Sequence, residues 1–240
     1  MSVERRIPPN LETARTLDRG ATKASVAERA ARQWRWLPPL SGRRFGDVLL
    51  FSVTAVELAI LALLTPTFTF VDWIYLSQHL IVLGLAFTRR APATQDYSLV
   101  SSIAVVVAYA YPYAQIAYLG WKPGEPVSQT AGLVLVTVAA FLSLASLVSL
   151  GRSFGIRPAR RGVVTDGPYR VVRHPIYVAY VVSDVGYNLQ EWNVGSLLLV
   201  LAGWTSLLYR IHAEERVLSR DHRWPAYVAS VPYRLFPGLW

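Results

Sequence analysis

The 240-residue chain is 53% hydrophobic and 16% charged, and its net charge of +9 rests almost wholly on arginine, with Lys23 and Lys122 as the lysines. It has no cysteine, which excludes disulfides, thiol nucleophiles and cysteine metal sites. A mean hydropathy of +0.32 and long apolar runs exclude an ordinary soluble domain and point to an integral membrane protein. The arginines crowd the tail and loops beside those runs, which favours anionic lipid headgroups over nucleic acid as their partner.

Residues 1–24 are polar and charged, the composition of a disordered tail. Ser25 and Glu28 then have capping-box spacing, and Val26, Ala30, Trp34 and Leu37 recur at helical spacing among Arg29, Arg32 and Arg35. Residues 25–37 are expected either to lie on the membrane surface, anchored by Trp34 and Trp36, or to pack on the core as an ordered tail. Pro38 and Pro39 end that stretch.

Apolar segments at 47–65, 72–88, 98–119 and 129–150 each have a length that suits a spanning helix. A fifth, 175–191, is shorter and carries Ser183, Asp184, Asn188 and Gln190. Glu191, Trp192 and Asn193 make a turn, and a sixth segment runs from Gly195 to about Tyr209, then continues as a polar helix through Leu218. The expected fold is all-α, a polytopic membrane protein of about six segments whose last two form a helical hairpin. We divide it into a basic tail with a possible interfacial helix (1–44), a four-helix membrane region (45–150) and a C-terminal region that carries the chemistry (151–240). Arg43, Arg44, Arg89, Arg90, Arg152, Arg157, Arg160, Arg161, Arg170 and Arg173 fall on one side under this count, and the opposite loops hold only Lys122. The positive-inside rule then puts both termini and the C-terminal cluster in the cytoplasm.

That cluster is Gly167-Pro168-Tyr169-Arg170, then Arg173-His174-Pro175-Ile176-Tyr177, then Arg210 and Glu214-Glu215. Pro175 suits the first turn of a helix, where its missing N–H costs nothing. His174 then sits at the helix start with its imidazole toward the loop, and Tyr180 follows Tyr177 on a similar face. If the last two helices form a hairpin, Glu214 and Glu215 return close to His174, where a carboxylate can hold a ligand ammonium or a ribose hydroxyl. Each residue alone is accounted for by snorkelling arginines, interfacial tyrosines and a solvated ion pair between Arg210 and Glu214. The combination points to a pocket for a charged cofactor, because charged groups at a membrane boundary are costly unless they pair or bind something. Glu57 and Asp184 sit mid-segment and are functional candidates by their cost. His79, His212 and His222 have no metal-ligand spacing, and no metal is expected.

These residues resemble the isoprenylcysteine carboxyl methyltransferase family, itself similar to the phospholipid N-methyltransferases. The resemblance covers roughly 150–240 and includes Val164-Thr165-Asp166-Gly167-Pro168-Tyr169-Arg170, Arg173-His174-Pro175-Ile176-Tyr177, Asn193, Arg210-Ile211 with Glu214-Glu215, and a tail with Tyr227, Val231 and Pro237. The first four segments show no family signal. Ala179 stands where members often have glycine, and Ser230 where many have arginine, with Arg234 the candidate to replace it.

The resemblance implies an S-adenosylmethionine-dependent membrane methyltransferase whose lipophilic acceptor enters from the bilayer. Val164, Gly167, Tyr169, His174, Pro175, Tyr177 and Glu215 are the cofactor-binding candidates it implies. Glu214, Arg173 and His174 are the catalytic candidates, and Asp184, Tyr180, Tyr227 and Arg234 the substrate-binding ones. A carboxylate acceptor needs no general base, whereas an amine or phenol does, with Glu214 or His174 as candidate. Prenylcysteine-like carboxylates, phospholipid amines and small lipophilic metabolites all remain as acceptors. Arginine-for-lysine usage points to a GC-rich bacterial genome and an inner-membrane location, where prenylated proteins are less expected than lipids or small molecules. The rival expectation is a non-catalytic membrane protein such as a small transporter or assembly subunit. Repeat symmetry and broken mid-span helices would mark a transporter, and the sequence has neither.

Overall fold

The computed structural model describes residues 51–52, 54–56, 59 and 70–240. The expectations for residues 1–50, among them the helix at 25–37, and for Glu57 lie outside them. The described chain is mostly helical: α1 (Phe70–Thr88), α2 (Leu99–Trp121), α3 (Gln129–Leu150), α4 (Pro175–Gln190), α5 (Val194–Leu218) and the short α6 (Trp224–Ser230). Two-residue strands β1 (Thr94–Gln95) and β2 (Ala159–Arg160) pair antiparallel, tying the α1–α2 connection to the loop after α3.

The helix starts follow from local chemistry. Ser98, Ser128 and Asn193 each accept a hydrogen bond from a backbone N–H in the first turn of α2, α3 and α5, supplying a partner for donors that have none inside the helix. Pro175 opens α4, and His174 occupies the cap position without a side-chain capping bond, which leaves its imidazole available. Pro112 lies inside α2; the helix runs through it, as bundled membrane helices tolerate.

Among the described residues, three helical stretches are long and apolar enough to cross a bilayer: Leu99–Trp121, Gln129–Ser153 and Val194–Leu218. Leu76–Thr88 is a shorter apolar stretch, and α4, at 16 residues, spans only about 24 Å at 1.5 Å per residue. Among the described residues the structure thus shows three such helices; six spans are not shown, and segment 47–65 lies largely outside the described residues. Val134, Val138, Phe141, Leu198 and Leu208 are among the apolar side chains on their outer faces, as a lipid-facing surface requires.

The pairing of the last two helices also differs in weight from the expectation. They are antiparallel neighbours across the turn at Glu191–Asn193, but α4 packs far more extensively on α3, and α5 on α2. Small residues set these crossings. A Cβ on Gly132 would come within 2.5 Å of the Gly186 carbonyl oxygen, and one on Gly203 within 2.6 Å of the Tyr111 ring. Membrane helices associate through such backbone approach because apolar side chains gain little by leaving lipid.

Polar side chains complete the contacts. Asp184 accepts from Tyr111 Oη at 2.9 Å and from Trp204 Nε1 at 2.7 Å, joining α2, α4 and α5. Gln115, Ser196 and Asn188 continue that seam, and Gln78 of α1 donates to the Ala140 carbonyl of α3. The core nearest the cluster gathers Leu147, Phe154, Ile176, Tyr177, Leu207, Ile211 and Leu235.

Candidate active site

The site forms where the start of α4 meets the last turns of α5. Residues 173–174 lie in the tight connection between a one-turn 3-10 helix (Gly167–Arg170) and α4. Their backbone N–H groups donate to the carbonyls of Tyr233 and Arg234, each at 2.9 Å. Gly167 has φ +59°, and a Cβ there would fall 2.3 Å from Ser149 Oγ. Glycine is needed to press this turn against α3.

Glu215 is held on three sides. Arg173 Nε lies 2.9 Å from Oε1, His174 Nε2 lies 3.3 Å from the same oxygen, and Arg234 Nε donates to Oε2 at 2.9 Å. Arg173 Nε is not aligned for a hydrogen bond despite its distance, so that pair is held by charge alone.

Glu214 has other partners. It accepts a short hydrogen bond from the Tyr177 hydroxyl, with Arg210 Nη2 and His174 Nδ1 each 3.8 Å away. The His174 and Tyr177 rings stack at 5.7 Å, and the Arg210 guanidinium sits 5.5 Å from the Tyr177 ring and 5.8 Å from Tyr109. Arg210 Nη2 also donates to the Ile156 carbonyl at 3.1 Å, fastening the loop after α3 to α5. The Nε of this buried arginine has no hydrogen-bond partner.

These groups face a cavity of about 110 Å³. Of the expected site residues, Val164, Tyr169, Arg173, His174, Tyr177, Tyr180, Glu214 and Tyr227 line it. Glu215 and Arg234 stand behind His174, while Gly167 and Pro175 shape the backbone. Asp184 lies apart, engaged by Tyr111 and Trp204. Tyr227 donates to the Tyr169 carbonyl at 2.9 Å, and burial pushes both phenols above the ordinary tyrosine value, the nearby Glu214 reinforcing the shift at Tyr169. Neither ionises near neutral pH.

Tyr109, Phe154, Arg157, Arg161 and Trp224 also line the cavity and were not among the expected site residues. Arg157 and Arg161 read in the sequence as loop cations that set orientation. A Cβ on Gly155 would lie 2.1 Å from Arg161 Nη1, so glycine there leaves room for that guanidinium.

The sequence profile of the phospholipid methyltransferase family matches residues 127–223. Over that span the chain is similar to the phospholipid methyltransferases. It is also similar to protein-S-isoprenylcysteine O-methyltransferase B of Arabidopsis thaliana, 24% identical over 181 residues that cover 70% of this chain and 90% of that protein. Its likeness to protein-S-isoprenylcysteine O-methyltransferase A of the same plant is 30% over 95 residues, covering 37% and 48%. The Schizosaccharomyces pombe protein-S-isoprenylcysteine O-methyltransferase is 35% identical over 98 residues, covering 38% and 42%; the chain thus spans about half or less of these last two.

The resemblance read from Gly167–Tyr177 and Arg210–Glu215 is thereby borne out, and with it the membrane methyltransferase class. Its extent differs from the expectation. The phospholipid methyltransferase match begins at residue 127, so α3, where no family signal was read, lies inside it.

Proposed function

We propose that the protein is an integral membrane methyltransferase that uses S-adenosylmethionine and acts on a lipophilic acceptor at the cytoplasmic face of a bacterial inner membrane. The observation that carries this reading is the paired carboxylates of Glu214 and Glu215, clasped by Arg173, His174, Tyr177, Arg210 and Arg234 beside one cavity.

The lining fits such a donor. Tyr109, Tyr169, Tyr177 and Trp224 offer aromatic faces for an adenine or a sulfonium. Glu214 offers an acceptor for an ammonium or ribose hydroxyl, and the buried Arg210 Nε is a donor without a partner. When bound, the donor supplies an electrophilic methyl group on a positive sulfur. The protein's share is to orient the reactants and keep water out, which Phe154, Ile176 and Tyr180 serve on the apolar side of the cavity.

An acceptor with an anionic head, such as a lipophilic carboxylate, is already a nucleophile and needs no general base. The isoprenylcysteine O-methyltransferase relatives agree with that chemistry.

The orientation rests on charge. Arg90, Arg152, Arg160 and Arg161 are linked at the site's end of the bundle, whereas Lys122, Glu125 and Trp192 meet at the other. Calorimetric titration of the protein in nanodiscs with S-adenosylmethionine and S-adenosylhomocysteine tests the donor; no binding at millimolar ligand overturns it. Methyl-labelled donor added to membranes, with lipid, protein and small-molecule fractions separated, identifies the acceptor. Cysteines placed at Ser153 and Ser128 are expected to be labelled from the cytoplasm and the opposite side respectively, and labelling of both from one side refutes the orientation.

A further inference from the structure

Residues 231–240 form a strap whose contacts converge on the junction that opens α4. The Tyr233 and Arg234 carbonyls receive the Arg173 and His174 N–H groups. The Arg234 and Leu235 N–H groups close the strap on the Trp240 carbonyl at 2.9 and 3.1 Å, and Leu235 is buried in the cluster with Ile176, Tyr177 and Ile211. Arg234 then reaches past the backbone to Glu215 Oε2, its guanidinium 4.9 Å from the Trp240 ring, which itself stands 5.9 Å from His212.

The division of Glu215's oxygens is the telling point. Oε2 is taken by Arg234, and Oε1 faces Arg173 and His174. A carboxylate with one oxygen fixed cannot swing, so the other is presented in one direction. Arg234 itself does not line the cavity. Its side chain is 29% exposed, so the ion pair alone is worth little as stability; its geometric effect is the larger one.

We propose that Arg234 is a positioning residue, which by fixing Oε2 of Glu215 turns Oε1 to His174 and holds the imidazole against the cavity. The assignment rests on the methyltransferase reading for what His174 does there, and on the geometry alone for how it is held. The resemblance made Arg234 a substrate-binding candidate; the strap gives it a different task, one step behind the reacting groups.

The test uses the full chain in nanodiscs with Arg234→Met, which removes the charge and the guanidinium over Trp240, with Arg234→Lys, and with the exposed Arg220→Ala as a surface control. One readout needs no donor: the rate at which diethyl pyrocarbonate modifies His174, read by peptide mass spectrometry against the exposed His222. The other is S-adenosylhomocysteine affinity by calorimetry. Loss of one charge-assisted hydrogen bond should raise the His174 rate and weaken binding by about ten-fold each in Arg234→Met, with Arg234→Lys within about two-fold of wild type and Arg220→Ala unchanged. If Arg234→Met does not fold, Arg234→Gln takes its place with the same expectation. A wild-type His174 rate in the neutral variant overturns the proposal, as do equal losses in the Lys and Met variants, which would assign the effect to packing on Trp240. If the wild type binds no S-adenosylhomocysteine while the His174 rates separate as expected, the methyltransferase reading falls and the positioning role stands.

Discussion

Glu214 and Glu215 are adjacent in sequence yet belong to separate networks. Glu215 is 13% exposed and divided between Arg234 on one oxygen and Arg173 with His174 on the other, whereas Glu214 is 22% exposed, bound by Tyr177 and turned to the cavity. Successive residues on a helix point about 100° apart, which allows one to serve the framework and the other the ligand.

The two isosteric amides should therefore separate. Glu215→Gln leaves Arg173 and Arg234 without their counter-charge and is expected to destabilise the protein by about 2–3 kcal/mol. Glu214→Gln keeps an acceptor for Tyr177 and loosens only the longer 3.8 Å contact with Arg210, which also holds the Ile156 carbonyl, so it is expected to cost less stability than Glu215→Gln while lowering donor affinity or turnover by about ten-fold. Thermal melting and S-adenosylhomocysteine titration of both variants in one detergent check this, and equal melting temperatures would refute the division.

The crossing of α3 with α4 gives a packing prediction. A Cβ on Gly186 would stand 2.8 Å from Val136 Cγ2 and 2.9 Å from the Gly132 carbonyl oxygen, while nothing lies within 4 Å of one on Gly84. Gly186→Ala should destabilise by about 1–3 kcal/mol through overpacking. Gly84→Ala, in an open helical position, should be neutral or gain up to about 1 kcal/mol. Matched melting curves of the two alanines decide it.

Asp184 offers a test of structural against ligand-binding use. Asp184→Ala strands the Tyr111 hydroxyl and the Trp204 N–H, an expected loss of about 1–3 kcal/mol for each buried donor left without a partner. Asp184→Asn keeps an acceptor in place and should retain most of that stability. Donor affinity in the folded fraction of either variant should match wild type; a selective loss would instead place Asp184 in the site.

The pH dependence turns on Asp221, which caps the turn before α6. The Arg223 N–H donates to its Oδ1 at 3.1 Å, and these bonds with the Arg223 charge hold its carboxyl below the ordinary 3.8. A depressed folded-state value means the contribution is present above the unfolded value and is lost as pH falls through the folded one. The stability gap between wild type and Asp221→Asn should thus be constant from neutral pH to about pH 5 and close below about pH 4. A gap that widens on acidification would contradict the assignment. Trp224 and Tyr227 of α6 would loosen with it.

Much of the described fold was legible from apolar runs and caps: α2, α3 and α4 begin and end within two residues of their expected limits, and α5 runs to Leu218 as read. Of the site, the meeting of His174 with Glu214 and Glu215 was legible because Pro175 and Asn193 fix where two helices start. What the sequence hid depends on tertiary approach. The near contact of Gly132 with Gly186 involves two glycines that look ordinary in their own helices. The share of Arg157 and Arg161 in the cavity came from a loop folded back by the Arg210–Ile156 bond. Asp184, read as a functional acid by its cost, found its partners on two other helices.

That last arrangement bears on the order in which the protein is made. An aspartate near the centre of a membrane helix disfavours insertion by roughly 2.5–3.5 kcal/mol, and α4 is short and rich in polar side chains. One of the two donors that satisfy Asp184, Tyr111, is synthesised before α4, and the other, Trp204, after it. The helix that opens the candidate site therefore reaches its settled state only once α5 has left the ribosome, so this end of the bundle closes as one of the last acts of biogenesis.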